Sequence, residues 1–190
     1  MEVAAEIVRL RLAETFVISR EAADWADVVH VTISYKDTIG RGEAAPIERY
    51  DGSAATALQF LEEHGHLVGD DPFALEEIET RLREVPGERA AKSALDAALH
   101  DLQGKLLGVP TWKLLGMRRC GPPTSWTVWL GDPDDMARRA EQAASRFRRL
   151  KLKLGAGDGL DVERVSAVRS VADLPLMVDA DHGYGNALNV

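Results

Sequence analysis

Four side chains stand at spacings that suit proton-transfer chemistry. In Arg149-Leu150-Lys151-Leu152-Lys153-Leu154-Gly155 two lysines lie two residues apart, and about one βα unit later comes Val178-Asp179-Ala180-Asp181. Side chains of a β-strand alternate between faces, so Lys151 and Lys153 share one face and Leu150, Leu152 and Leu154 the other. The leucine face asks to be covered by helices. That leaves two ammonium groups roughly 7 Å apart near the strand's C-terminal end. Their mutual repulsion and their burial lower a lysine pKa, and a lysine so tuned serves as a base near neutral pH. The same pattern also describes an amphipathic strand with its lysines in water.

The elements around these residues tell more. Thr124 to Leu130 reads as a strand, and Asp132-Pro133 caps a helix over 134–147. The strand Leu150 to Leu154, the loop Gly155 to Gly159, a helix over 160–171 and a strand over 176–180 follow. This is βαβαβ with short connections, the mark of a parallel sheet. The Gly155-Ala156-Gly157-Asp158-Gly159 run lacks the full G-x-G-x-x-G spacing, so it reads as a flexible βα loop and not as a phosphate loop.

The first part of the chain has a different grammar. Residues 5–19 alternate in a strand-like way, Arg20 to Trp25 reads as a mobile loop, and residues 27–35 are rich in β-branched side chains. Asp37-Thr38-Ile39-Gly40 is a plausible turn into a third strand over 40–45. Asp51 or Ser53 caps a helix running to about Glu63, and Asp70-Asp71-Pro72 starts another near Phe73. A long helix over 89–107 carries Ala91, Ala94, Leu95, Ala98, Leu102 and Leu106 as one apolar stripe. Gly108 ends it, and Pro110 opens a short turn reaching Leu114-Leu115-Gly116. This part reads as an α+β domain over residues 1–120, with a second domain over 121–190.

Composition narrows the function classes. The 190 residues are 45% hydrophobic and 28% charged, an ordinary globular mixture. A net charge of −8 without a basic tract argues against nucleic acid. Glu2, Glu6 and Arg9 interrupt the apolar N-terminal residues, which argues against a signal peptide or a membrane span. A lone cysteine, Cys120, has no internal partner, so a reducing, cytoplasmic setting is expected. His64 and His66 have no carboxylate or cysteine at metal spacing, so no zinc site is expected.

Four segments in this order resemble the enolase superfamily over essentially the whole chain. Gly40-Arg41-Gly42-Glu43-Ala44-Ala45-Pro46 resembles the G-x-G-E-x-x-P segment of the capping domain. Residues 91–102, followed by Gly108-Val109-Pro110 and Leu114-Leu115-Gly116, resemble the helix joining cap to barrel. Lys151-Leu152-Lys153 resembles the K-x-K motif of the second barrel strand, and Asp179-Ala180-Asp181 the D-A-N motif of the third. Thr124-Ser125-Trp126-Thr127-Val128 followed by the two lysines looks most like the dipeptide epimerases, which interconvert configurations at a dipeptide α-carbon, commonly of the Ala-Glu type.

The resemblance implies an α+β capping domain followed by a (β/α)8 barrel, and a Mg²⁺-dependent racemase or epimerase acting on a small carboxylate substrate. Lys153 would be the catalytic base, Lys151 the auxiliary lysine that stabilises negative charge, and Asp179 the first of three metal carboxylates. A Lys or His base with one or two Mg²⁺ ions is the superfamily's known chemistry, implied by the likeness and not by the spacing. Arg20, where the cap closes over substrate, would pair with an acidic side chain or remain solvated. Thr124 and Thr127 are candidates for substrate hydrogen bonds or ordinary strand threonines.

Asp181 departs from the family asparagine. It would add a ligand, alter substrate contacts, or sit neutralised by Lys151 or Lys153. His182 beside it is a lesser candidate, while Glu43 and Tyr50 read as structural. The larger departure is length. A (β/α)8 barrel takes about 250 residues, so a barrel begun after residue 120 holds only about three strands here. The other two metal carboxylates and the opposing lysine would lie beyond Val190. Three parallel strands leave an open edge, so a homo-oligomer or a complementing C-terminal half is expected, and the chain alone should not be competent. A cycloisomerase-like or succinylbenzoate-synthase-like reaction shares the lysines and the metal. A non-catalytic module that self-associates is the reading from outside enzymology.

Overall fold

The computed structural model describes residues 1–50, 52–181 and 183–185. Asp51, His182 and the stretch from Asn186 to Val190, on which some expectations fell, lie outside the described residues. The chain forms two compact units, Met1–Arg11 with Trp25–Cys120, and Leu12–Asp24 with Gly121–Val190. Among the described residues no helix is long and apolar enough to cross a membrane.

The first unit rests on a three-stranded sheet in the order β1 (Glu2–Val17), β2 (Ala22–Tyr35), β3 (Thr38–Ala44). β2 and β3 are antiparallel, with His30 opposite Glu43 and Tyr35 opposite Thr38. The connection is therefore Lys36-Asp37, with Lys36 at φ 52°, a tighter turn than Asp37 to Gly40. β1 and β2 also run closer together than the sequence reading has them. Ile18 N–H donates to Glu21 O at 2.9 Å and Thr15 Oγ1 to Asp24 Oδ1 at 2.6 Å. β2 begins at Ala22, so Ala22 to Trp25 is strand and not loop.

Val29, Val31 and Ile33 alternate onto the buried face of β2. They share a core with Phe60 and Leu61 of α1 (Ala54–His64), Ile78 and Leu82 of α2 (Leu75–Glu84), and Leu95, Leu99 and Leu102 of α3 (Arg89–Leu107). A single 3-10 turn, Gly65–Val68, follows α1, and α4 (Thr111–Leu114) follows α3. Ser53 caps α1: its Oγ accepts from Thr56 N–H at 3.2 Å while Thr56 Oγ1 accepts from Ser53 N–H at 2.9 Å. α3 lies almost backbone to backbone on β3. A Cβ on Gly40 would stand 2.1 Å from Ala98 O, and one on Gly42 2.0 Å from Ala94 O. The two glycines of G-x-G-E and the alanines of the long helix thus answer one requirement, close approach. Arg41 N–H donates to Asp101 Oδ2 at 2.8 Å and Lys105 Nζ to Ile39 O at 2.8 Å, which fixes the register.

The second unit is built on a parallel sheet in the order β4 (Ser125–Val128), β5 (Arg149–Lys153), β6 (Leu176–Asp179), three strands among the described residues. Leu150, Leu152 and Leu154 are buried with Val128 of β4, Met136, Ala140 and Ala143 of α5 (Pro133–Ala144), and Val168 of α6 (Asp161–Val171). The leucine face is thus covered by helices, as the alternation requires. Thr124 precedes β4 instead of lying within it.

Candidate active site

With the leucines of β5 committed to the helices, Lys151 and Lys153 emerge on the other face. Parallel pairing sets Lys153 opposite Asp179 and Thr127 opposite Lys151. Lys153 is 8% exposed, yet its ammonium is well served. It lies 3.1 Å from Asp179 Oδ2 and donates to Asp181 Oδ1 at 3.0 Å and Oδ2 at 3.1 Å. Lys151 Nζ reaches the same Asp179 Oδ2 at 3.2 Å. Asp181 takes a left-handed backbone, φ 49°, which turns the chain back so that its N–H donates to Asp179 Oδ1 at 3.1 Å. Leu154 N–H donates to Asp179 O at 3.1 Å, continuing the β5–β6 pairing to the end of the strands.

Two cations and two carboxylates therefore form one charge cluster, and this reverses the expected shift of the lysine. Burial is the largest single influence on Lys153 and pushes its pKa down. The hydrogen bonds and charges of Asp181 and Asp179 together outweigh it, so Lys153 lies above its ordinary value. The neutral-pH base expected from two adjacent lysines is corrected on this point: each ammonium meets a carboxylate, not a bare neighbour. Burial likewise pushes Asp179 up. The Asp181 N–H and the two lysines overcome it and hold the carboxyl at about 2.

Thr127 is half-buried on the lysine face of β4, whereas Thr124 is exposed ahead of the strand. Arg20 is exposed in the turn between β1 and β2. The hydrogen-bonded cluster is thus Lys151, Lys153, Asp179 and Asp181, with Thr127 on the neighbouring strand. Glu43 pairs across strands with His30 at 3.3 Å, a structural position in the sheet. For Mg²⁺, Asp179 and Asp181 offer hard oxygen donors of the preferred kind. Among the described residues no three His, Cys, Asp or Glu side chains gather as a complete metal site. Asp179 fits as one ligand of a set.

The sequence reading missed the group beneath this cluster. Arg164 of α6 is 3% exposed, and its guanidinium reaches the loops after β4 and β5 at the C-terminal ends of the strands. Nε donates to Gly131 O at 2.8 Å, Nη1 to Asp158 Oδ1 at 2.7 Å and Asp161 Oδ1 at 2.9 Å, and Nη2 to Asp158 Oδ2 at 2.6 Å. Asp161 Oδ2 in turn accepts from Gly155 N–H at 3.0 Å and from Tyr184 Oη at 2.5 Å. The glycine loop is thus tied at Gly155 and Asp158, while Ala156, Gly157 and Gly159 are exposed. The available signal was an arginine four residues before Val168, on the buried stripe of α6.

Residues 2–116 match the family described as mandelate racemase / muconate lactonizing enzyme, N-terminal domain. The chain is 35% identical over 177 residues to an L-Ala-D/L-Glu epimerase of Bacteroides thetaiotaomicron, covering 92% of this chain and 46% of that protein. The crystal structure of a dipeptide epimerase from Enterococcus faecalis, complexed with Mg and the dipeptide L-Leu-L-Tyr, superposes with a TM-score of 0.87 at 31% identity. That match covers 94% of this chain and 52% of that one. An N-succinyl Arg/Lys racemase from Bacillus cereus gives a TM-score of 0.88 at 28% identity, covering 100% of this chain and 55% of that one. The chain spans about half the length of the curated relatives it matches. By its matched N-terminal domain, its order of elements and its relatives, the chain belongs to the mandelate racemase / muconate lactonizing enzyme family of the enolase superfamily.

Proposed function

We propose that this chain carries the proton-transfer half of a Mg²⁺-dependent racemase or epimerase that acts at the α-carbon of a dipeptide of the Ala-Glu type. The observation that carries this reading is the convergence of Lys151 and Lys153 on Asp179 at the C-terminal ends of adjacent parallel strands. Active groups of such barrels collect at that end, and relatives of this architecture are epimerases and racemases.

Lys153 is the group that moves the proton. It is the more buried of the two lysines, so a substrate placed against it meets a desolvated amine. As an ammonium it delivers a proton to the α-carbon; as an amine it removes one, leaving the electron pair on the substrate as an enediolate. Between Asp179 and Asp181 the ammonium form is favoured, and any loss of negative charge at those carboxylates moves Lys153 toward the base. Lys151, less buried and 3.2 Å from Asp179 Oδ2, places a fixed positive charge beside the developing enediolate oxygens. Asp179 would hold Mg²⁺, which when bound supplies Lewis-acid stabilisation of the carboxylate being enolised. Thr127, on the same face one strand away, orients the substrate by hydrogen bonding. Arg20 pairs with an acidic side chain of the substrate.

The test is deuterium incorporation at the α-carbon of Ala-Glu-type dipeptides in D₂O with Mg²⁺. It is read by mass spectrometry for this chain alone and for the chain joined to the C-terminal half of a dipeptide-epimerase relative. Metal-dependent exchange that Lys153→Ala removes is expected in the joined protein. A folded joined protein that exchanges no dipeptide would sink the reading.

A further inference from the structure

The loops that follow β4 and β5 meet at one buried guanidinium, and the loop after β6 joins them through Asp161. Gly131, after β4, offers its carbonyl to Arg164 Nε. Asp158, after β5, accepts from both terminal nitrogens of Arg164, a two-pronged pairing that only a planar fork makes. Asp161, at the start of α6, accepts from Arg164 with one oxygen and passes the restraint on with the other. That second oxygen holds Gly155 N–H on one side and the Tyr184 hydroxyl, after β6, on the other. The loops are also in direct backbone contact. A Cβ on Gly183 would stand 2.3 Å from Gly155 O, so the turn after β6 seats against the first residue after Leu154. Gly155 lies two residues past Lys153, and Gly183 two past Asp181. Hydrogen bonds thus lead from Arg164 through Asp161 to Gly155, two residues past Lys153, and to Tyr184, three past Asp181. Burial of an arginine is costly unless it is fully paired, and this one is paired directly to two loops and, through Asp161, to a third.

We propose that Arg164 is a positioning residue: through Asp158, Asp161 and the Gly131 carbonyl it locks the loops after β4, β5 and β6 into one frame, and this frame sets where Lys153 stands relative to Asp179 and Asp181. The consequence for turnover rests on the proton-transfer role of Lys153 given above; the consequence for the placement of Lys153 does not. A displacement of about 1 Å in a proton-transferring group costs on the order of 10²-fold in rate, so the frame matters although Arg164 touches no substrate.

The experiment compares the unaltered chain with Arg164→Met, Arg164→Lys and Tyr184→Phe by two readouts that need no turnover. The first is hydrogen exchange at the Gly155 and Leu160 amides, both held by aspartates of this network. The second is acylation of Lys153 by acetic anhydride, measured by peptide mass spectrometry against Lys92 of the other unit as an internal standard. Arg164→Met should speed both amides and Lys153 acylation by about tenfold while Lys92 is unchanged. Arg164→Lys should behave like the methionine variant, since an ammonium lacks the planar fork that pairs with Asp158 while also reaching Asp161 and the Gly131 carbonyl. Rescue by lysine would mean that charge alone suffices and would overturn the proposal. Tyr184→Phe, which keeps the arginine and so guards against simple misfolding, should speed Lys153 acylation by a smaller factor. Folded Arg164→Met and Tyr184→Phe variants with unchanged Lys153 acylation would overturn it too, whatever their thermal stability. In the joined protein used for the exchange assay, Arg164→Met should lower kcat by about 10²-fold with KM little changed. Absence of exchange in that unaltered protein would remove the functional reading and leave the acylation result standing.

Discussion

Lys153 is held by two carboxylates, and its behaviour follows from that pairing. Its pKa lies above the ordinary 10.5, so the cluster's contribution to stability is fully present below about 10.5. It is lost as pH rises through the higher folded value. Unfolding by urea from about pH 9 to about pH 12 should therefore show falling stability, and Lys153→Met should flatten the fall. Asp181→Asn removes the carboxylate that accepts twice from Lys153. The lysine should then titrate at lower pH than in the unaltered chain, as an NMR titration of the side-chain nitrogen would show. An unchanged titration would mean that Asp179 alone holds the ammonium. Asp179→Asn takes away the negative charge shared by both lysines and the first expected metal donor. Weaker Mg²⁺ binding by the joined protein, measured by calorimetry, is the expected outcome.

Elements set the distances on which these charges depend. The capping unit relies on β3 and α3 packing with almost no side chain between them, at Gly40 and Gly42 against Ala98 and Ala94. Gly42→Ala inserts a methyl group where a carbonyl oxygen already stands, and one of the two elements must shift. A loss of about 1–3 kcal/mol is expected from denaturant unfolding. Ser53→Ala removes one arm of the reciprocal cap on α1 and should cost about 1 kcal/mol. Equal stabilities of Gly42→Ala and the unaltered chain would show that β3 can move away from α3 without penalty. In the other unit, β5 needs its leucines and its lysines to keep to opposite faces. A one-residue slip in register would exchange the two sets, so hydrophobic burial and the placement of the site are one constraint.

At the scale of the whole molecule, acid should unfold this chain through a small number of carboxylates. Asp158, beside the Arg164 guanidinium, and Asp179, beside two lysines, both lie at about 2, against an ordinary value of 3.8. The unfolded chain therefore binds more protons than the folded one between these values. Their contribution is present above about pH 4 and is lost as pH falls through 2. Asp158→Asn should reduce the slope of stability against pH in that window, measured by thermal unfolding. An unchanged acid slope would place the acid lability elsewhere in the chain.

Much of the architecture was legible from local pattern alone. Alternation placed Leu150, Leu152 and Leu154 under the helices, the stripe on 89–107 marked a core helix, and βαβαβ spacing marked a parallel sheet. The family likeness was legible because motifs such as G-x-G-E answer steric needs, here the approach of β3 to α3, that leave few residue choices. The sequence left open how separate segments share charge: neutralisation of Asp181 by a lysine was one of three alternatives, and folding selects it. Two lysines on one strand imply repulsion and a lowered pKa until pairing with β6 brings Asp179 and Asp181 against them. Only the tertiary structure decides that sign, because the carboxylates come from a strand more than twenty residues away. The same reason hid Arg164, whose partners at Gly131, Asp158, Asp161 and, through Asp161, Tyr184 are scattered along the chain. Periodicity is local and survives in a string of letters; electrostatic pairing is a matter of distance in space, and it exists only once the chain has folded.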